Sequence, residues 1–325
     1  MRRLITISIL ALCLLPGTCL RTAPKPWNES QRVAYVKLKV PRWRTGEVQV
    51  QGAWQLRSPN TAFGGFSALL AIDGRLLAVS DGGAAAWLPF PGAAKPHVRI
   101  FFLGGHRPRD KARVDIESLT RDAVTGSVWA GYEASNAIVA LDRGLHMGRD
   151  AEPRAMHDWP SNAGPESLVR LRDGRFIVLA EGDMILAGQP SPGLVFASDP
   201  TADRAVADNP LRFRFAPPRG YRPVDMAQLP DGRVLILLRS VRPGNPVHFT
   251  GRLMVADPAD IAPGRVWRGR TIALLDDPLP SDNYEGLTIL PQADGSVQVW
   301  VISDDNHAAY QRTLLLKLRW VPDRK

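Results

Sequence analysis

Cysteine is almost missing from this sequence. The chain of 325 residues has two cysteines, Cys13 and Cys19, and both lie near its N-terminus. The rest of the chain therefore has no thiols for disulfides or zinc–thiolate sites, and its stability must come from burial and strand pairing. The six histidines show no metal-ligand spacing. The sequence also lacks a P-loop, a dinucleotide-binding fingerprint and a Gly-x-Ser-x-Gly nucleophile elbow.

Long apolar runs are also rare, and the longest stands at the start of the chain. Residues 1–22 have a basic beginning, Arg2-Arg3, and then an apolar run of about a dozen residues, which predicts a secretory signal peptide. Cleavage is expected after Cys19. Lipidation of Cys19 is the weaker alternative, because Pro16-Gly17-Thr18 fits that signal badly. No second apolar segment of spanning length follows, so we expect no membrane span in the mature chain and a periplasmic or secreted location.

Helical periodicity longer than two turns is missing as well. The 28 glycines and 28 prolines suit a fold with many turns between short strands. Four times an Asp-Gly dipeptide joins the first short apolar segment of a pair to the second, which is a strong hairpin signal. The four dipeptides are Asp73-Gly74, Asp173-Gly174, Asp231-Gly232 and Asp294-Gly295. The sequence therefore predicts an all-β chain.

One plan repeats along the chain: an opening polar residue, a short apolar strand, a turn and a second apolar strand. The opening residues, at intervals of roughly 50 to 60 residues, are Ser67, Glu117, Glu166, Asp225 and Glu285. A repeat of about this length with several strands per unit is typical of a β-propeller. We predict five blades, with six as the alternative if the N-terminal strand 33–40 belongs to another blade.

The last repeat contains only three strands, at 286–290, 297–303 and 313–320. Its fourth strand can come from the N-terminal region, near 47–56. Such sharing closes the ring and removes exposed strand edges. We therefore predict a single domain over 30–325, closed by its N- and C-terminal strands.

Equivalent positions of successive blades converge on the central axis of a propeller. The acids that open four repeats, Glu117, Glu166, Asp225 and Glu285, are thus candidate ligands of one cation. The ends of the second strands should lie nearby and supply further acids: Asp81, Glu133, Glu181 and Asp304. Clustered carboxylates repel one another unless they are protonated or neutralised. Oxygen ligands without His or Cys favour Ca²⁺.

Another interpretation remains open for each acid, since carboxylates at blade ends also bind backbone amides and hold loops in place. Arg239 stands at the end of the second strand of the repeat that Asp225 opens. It is a candidate substrate-binding residue for a phosphate or carboxylate group, or an internal ion-pair partner of Asp225. His307, directly after Asp304-Asp305-Asn306, is the second candidate for substrate binding.

The net charge of +9 is compatible with a small anionic ester as substrate. The arginines are scattered through turns and strand edges, and no basic run alternates with aromatic residues. We therefore expect no nucleic-acid partner. We expect a monomer.

Several short motifs resemble those of the phytase-like family, also called the esterase-like activity of phytase family. They cover roughly 60–320 and are specific only in combination. They are Asp115-Ile-Glu-Ser-Leu, Asn162-Ala-Gly-Pro-Glu-Ser-Leu, Gly220-Tyr-Arg-Pro-Val-Asp-Met-Ala-Gln-Leu-Pro-Asp-Gly-Arg, Asp282-Asn-Tyr-Glu-Gly-Leu, and Ser303-Asp-Asp-Asn-His with Arg312-Thr-Leu-Leu. Ser118 and Ser167 depart from the family pattern, in which Gly often follows the Glu.

The resemblance implies a β-propeller in an exported bacterial protein and a hydrolase by analogy with calcium-dependent propeller phytases. A Ca²⁺-dependent hydrolase of phosphate esters is the first hypothesis. A non-catalytic periplasmic propeller that binds a ligand or a protein is the second, because one fold supports many functions. A carboxylic-ester or lactone hydrolase is the third.

Overall fold

The computed structural model describes residues 26–40, 44–94, 97–105, 107–108, 114–160, 163–182, 189–244 and 247–323. The predicted signal peptide, 1–22, lies outside the described residues. One short α-helix is found in the described ranges, α1 (Arg204–Asp208), whose first turn is capped by the Asp203 side chain on Ala205 N. No helix of these ranges combines the length and apolar composition that a membrane crossing requires.

The described chain forms 23 strands in five sheets that surround one axis, so the predicted five-bladed β-propeller is confirmed. The N-terminal strands are β1 (Ala34–Lys37), β2 (Arg44–Thr45) and β3 (Val48–Arg57). Blade one contains β4 (Phe66–Ile72), β5 (Arg75–Ser80), β6 (Ala84–Pro89) and β7 (Arg99–Phe102). Blade two contains β8 (Ile116–Arg121), β9 (Val128–Tyr132), β10 (Ala137–Leu141) and β11 (Met147–Ala151).

The remaining strands build the other three blades. Blade three contains β12 (Ser167–Arg170), β13 (Phe176–Leu179), β14 (Ser191–Phe196) and β15 (Leu211–Phe215). Blade four contains β16 (Arg222–Gln228), β17 (Val234–Arg242), β18 (His248–Ala256) and β20 (Arg270–Leu275), while β19 (Val266–Trp267) pairs with β15 of blade three. Blade five contains β21 (Asn283–Pro291), β22 (Val297–Asp304), β23 (Leu314–Trp320) and β3.

The two termini close the ring in blade five, as the sequence predicts. Strand β3 pairs antiparallel with β23, so that Ala53 lies opposite Leu316. Strand β1 pairs with the free side of β3. The segment 33–40 therefore extends blade five and forms no sixth blade, which excludes the six-bladed alternative.

Apolar side chains between neighbouring blades hold the ring together. Leu77 and Val79 of blade one, for example, share a buried cluster with Ile116, Ala130 and Val139 of blade two. Full burial of one such aliphatic side chain contributes roughly 1.5–3 kcal/mol. The strands alternate in direction within each blade, and the Asp-Gly turns place glycines in the left-handed region, with φ of 74° at Gly74 and 92° at Gly232.

Five strands line the central axis: β4, β8, β12, β16 and β21, and each packs against the next around the ring. All five run in the same direction along the axis. Their first residues therefore meet at one end of the central channel, and their last residues meet at the other.

Candidate functional site

The first end of the channel carries most of the predicted acids. We call it the acidic mouth and define it by eight carboxylates: Asp81, Asp115, Glu117, Glu133, Glu166, Glu181, Glu285 and Asp304. These groups lie close enough to shift one another's pKa values. Within the described ranges, the guanidinium groups of Arg222 and Arg239 lie among these carboxylates.

A β-bulge gives the opening residues their place. In β4, β8 and β21 the pairing with the second strand skips one residue, and the skipped residue is Ser67, Glu117 or Glu285 respectively. A bulge leaves one residue out of the ladder and redirects its side chain. Glu117 and Glu285 are thereby presented to the channel instead of being fixed in the ladder.

In one half of the acidic mouth, arginine side chains neutralise the negative charges of the carboxylates. Arg239, on β17, donates through Nη1 to Glu285 Oε1 and through Nη2 to Glu181 Oε1 at 2.5 Å. Arg222 lies 3.2 Å from the other oxygen of Glu181. Asn283 supports this arrangement, since its Oδ1 accepts from Arg239 at 3.0 Å and its Nδ2 donates to Glu285 at 2.8 Å.

The Arg239 guanidinium is therefore engaged by protein groups. Burial lowers the pKa of Arg239. The neighbouring Glu285, Glu181 and Glu166 raise it by a larger amount, so the net shift of this pKa is upward. Arg239 acts here as a counter-ion for these acids, and the alternative of an ion pair with Asp225 is not what the structure shows. Its role as a substrate-binding residue stays a prediction.

The other half of the mouth brings three carboxylate groups close together. One carboxylate oxygen from each of Asp115, Glu117 and Glu133 lies within 4.8 Å of the others. Neither Glu117 nor Glu133 forms an ion pair with a residue that the structure describes. Three carboxylate oxygens at this separation form a donor set that suits a hard cation.

Mutual repulsion and burial show in the pKa values of these groups. Burial, then Glu285, Glu133, Asp115 and Asp81, raise the pKa of Glu117 well above its usual range. Burial raises the pKa of Glu133 to about 7, although a hydrogen bond with the Glu166 carboxyl group opposes this shift.

Two further acids hold their protons unusually well. Burial and the charges of Glu117 and Glu181 raise the pKa of Glu166 well above its usual range. Burial and the charge of Glu285 raise the pKa of Asp304 to about 8. Without a cation, several acids of the mouth therefore keep protons near neutral pH.

Asp225 has a different environment from the other three opening acids. The residue skipped by the bulge in β16 is Val224, so Asp225 stands one register position further, equivalent to Ser118 in β8. Its two oxygens accept from the backbone amides of Met226 at 2.7 Å and Leu287 at 2.6 Å. Asp225 is 1% exposed, and burial raises its pKa well above the usual range. This carboxylate joins β16 to β21.

His307 lies at the rim of the acidic mouth. It is exposed, with φ of 49°, and its backbone amide donates to Asp305 Oδ1 at 3.1 Å. A Cβ atom added to Gly65 would lie 3.0 Å from His307 Nε2 and 3.3 Å from Asp81 Oδ1, so this glycine leaves room for both groups. His307 and Asp81 thus both lie close to Gly65, and the substrate-binding role of His307 stays a prediction.

The comparison of sequences now identifies the family. The model of the phytase-like family, described as "Esterase-like activity of phytase", matches residues 61–307. The chain belongs to this phytase-like family. The matched segment includes every residue that defines the acidic mouth. No curated protein matches the chain.

Solved structures show distant likeness only. The chain is similar to Podospora anserina α-L-arabinofuranosidase PaAbf62A in complex with cellotriose, at 12% identity and a TM-score of 0.47, over 81% of this chain and 94% of that one. It is similar to Myxococcus xanthus glutaminyl cyclase, at 11% identity and a TM-score of 0.46, over 85% of this chain and 97% of that one. It is also similar to Kuenenia stuttgartiensis hydrazine synthase, at 14% identity and a TM-score of 0.39, over 74% of this chain and 57% of that chain. These likenesses carry no argument about activity.

Sequence reasoning missed three residues of the mouth as candidates: Asp115, Arg222 and Asn283. Asp115 and Asn283 each stand two residues before an opening glutamate, where a strand places side chains on one face. That spacing could have identified both. Arg222 carried no such signal, because its pairing opposite Arg239 depends on the register of β16 and β17.

Proposed function

We propose that this phytase-like propeller is an exported, Ca²⁺-dependent hydrolase of phosphate esters or related esters. The observation that carries the proposal is the oxygen donor set of Asp115, Glu117 and Glu133 at one mouth of a closed ring. The two arginines of the mouth in the described ranges contact acids of the other half. A divalent cation would compensate the charges of Glu117 and Glu133.

The donor set favours Ca²⁺ over transition metals, because its ligands are carboxylate oxygens. Asp115, Glu117 and Glu133 would hold the ion, with Asp81 nearby. A bound cation of this kind polarises a phosphoryl or carbonyl oxygen and lowers the pKa of a water molecule.

Asp304 is the residue we assign to proton transfer. Its pKa of about 8 keeps the carboxyl group protonated at neutral pH, and the side chain is 6% exposed. Asn306 N donates to Asp304 Oδ1 at 2.6 Å and fixes its orientation. A protonated carboxyl group at the mouth can donate a proton to the oxygen of a leaving group. Replacement by Asn should lower kcat by roughly 10²–10⁴-fold and leave Ca²⁺ binding intact.

Calorimetric melting with Ca²⁺ and with a chelator tests the cation. Ca²⁺ at 100 times its Kd should stabilise the fold by about 2.7 kcal/mol. Glu117→Gln should reduce this stabilisation strongly, whereas Glu152→Gln, at an exposed acid outside the mouth, should leave it unchanged. Equal melting temperatures with Ca²⁺ and chelator would refute the cation site.

Hydrolysis is tested separately with a generic phosphate monoester and a generic carboxylic ester. We expect turnover that requires Ca²⁺ and is lost in Glu117→Gln. Ca²⁺ binding without turnover of either ester would favour the alternative, a non-catalytic propeller that binds a small ligand or a protein.

Export is tested on protein from the native envelope. Removal of the predicted signal peptide should shorten the chain by about 19 to 24 residues in mass spectrometry. An intact Met1 on cytosolic protein would contradict export.

A further inference from the structure

The other end of the central channel contains a second pocket. It lies where the five inner strands end, and its lining includes the last residues of β8, β12 and β16. Its volume is about 630 Å³, within the range of small-molecule sites. This pocket shares no residue with the acidic mouth.

Apolar side chains supply most of the surface of this pocket. The half-buried ones come from three inner strands: Leu70 and Ala71 of β4, Ala227 of β16, and Ile289 of β21. Their convergence gives a concave apolar wall on a rigid ring. Such a wall favours a ligand with a hydrocarbon or aromatic body.

Three arginines line the pocket, and they differ in their partners. Arg172 donates to the backbone oxygens of Pro230 at 2.7 Å and Leu229 at 2.9 Å. Arg170 lies 3.1 Å from Asp122 Oδ2. These two guanidinium groups are therefore bound by the protein itself.

Arg121 is the arginine with unused donors. Its Nε atom is buried and has no hydrogen-bond partner among the described residues. Its Nη2 atom lies 3.9 Å from Asp73 Oδ1, and that aspartate side chain is 78% exposed. A buried donor without an acceptor is destabilising. A quarter of the Arg121 side-chain surface is exposed, and an acceptor atom from a ligand in the pocket would bind this exposed part of the guanidinium group and not the buried Nε atom.

We propose that this pocket binds a small amphipathic carboxylate, with its anionic group on Arg121 and its apolar body against Leu70, Ala227 and Ile289. A carboxylate matches the planar guanidinium group. A phosphate dianion fits this site less well, because two charges are harder to remove from water into an apolar pocket. The site lies outside the proposed hydrolytic centre and does not depend on its cation.

Titration calorimetry of the purified chain with octanoate tests the proposal. Octanoate should bind, whereas acetate and inorganic phosphate should bind at least tenfold more weakly. Arg121→Gln should weaken octanoate binding at least tenfold. The matched control is Arg175→Gln, which removes an exposed arginine bound to Asp173 outside the pocket lining and should leave binding unchanged.

A second variant tests the apolar body independently of charge. Ala227→Trp should fill the pocket and abolish octanoate binding while Arg121 is retained. Circular dichroism and the melting temperature establish that each variant is folded. Absence of octanoate binding to the wild type, equal binding to Arg121→Gln, or phosphate binding as tight as octanoate binding would each overturn the proposal.

Discussion

The two halves of the acidic mouth differ in how their charges are compensated. In one half, Arg239 joins Glu181 and Glu285, and Asn283 fixes the guanidinium. In the other half, Asp115, Glu117 and Glu133 bring three oxygens together, and burial with like charge raises the pKa of Glu117 and Glu133.

This difference separates a structural ion-pair network from a candidate cation site. An arginine held between buried acids stabilises the fold only while all its partners are present. Carboxylates that oppose one another have a free-energy cost in the empty protein, and a cation removes that cost. Variants in the two halves should therefore change stability in opposite directions.

The largest expected effect is that of Arg239→Met. This change leaves Glu181 and Glu285 buried without their shared counter-ion, and loss of one partner of a buried pair costs about 3–5 kcal/mol. Urea unfolding of the chelator-treated protein should show a loss of this size. A loss below that of an exposed ion-pair variant such as Arg175→Gln would show that the Arg239 network is not stabilising.

Glu117→Gln should raise the free energy of unfolding in the absence of Ca²⁺, the opposite of the effect of Arg239→Met. The amide retains hydrogen-bonding capacity but removes a charge that burial and Glu285 disfavour. We expect a gain in the free energy of unfolding at neutral pH, because the folded state disfavours the ionised form of Glu117. Unfolding with chelator measures it. A destabilised variant would mean that Glu117 has a structural partner that the empty mouth needs.

Asp225→Asn should destabilise by a smaller amount, about 1–2 kcal/mol, and should leave the Ca²⁺-induced stabilisation unchanged. An amide offers one acceptor oxygen in place of two, so the amide of Met226 or Leu287 loses its partner. Melting with and without Ca²⁺ measures both quantities. Loss of the Ca²⁺ effect would instead support the sequence-based prediction that Asp225 is a fourth ligand of the cation.

The last prediction concerns the pH dependence of the chelator-treated protein. The folded-state pKa values of Glu133 and Asp304, about 7 and about 8, lie above their ordinary values of 4.5 and 3.8. The folded state then binds more protons than the unfolded state, so these groups reduce stability as the pH rises from about 4 toward 8. The melting temperature should fall over this window, and saturating Ca²⁺ should remove the contribution of Glu133 while that of Asp304 remains. A metal-free profile that rises through the window would contradict the assigned shifts.

The spacing of the repeats was sufficient to predict the propeller, its five blades and the closure by the termini. These features follow from hydrophobic alternation, Asp-Gly turns and the missing fourth strand of the last repeat, all of which are local in sequence. The ends of the second strands were also predictable. Asp81, Glu133, Glu181, Arg239 and Asp304 do meet at one mouth, because equivalent positions of the blades meet at the axis.

The division of the acids into two halves was decided by tertiary structure alone. A bulge at Val224 in place of Asp225 moved one acid by one register position, and no local signal marks which residue a bulge will leave unpaired. The pairing of Arg239 with Glu181 and Glu285 joins residues from three blades, 58 and 46 positions apart in sequence. The sequence by itself determined that the ends of the second strands reach the mouth, since burial periodicity fixes strand faces. Only the packed ring determined their partners, because charge compensation depends on distances across the channel.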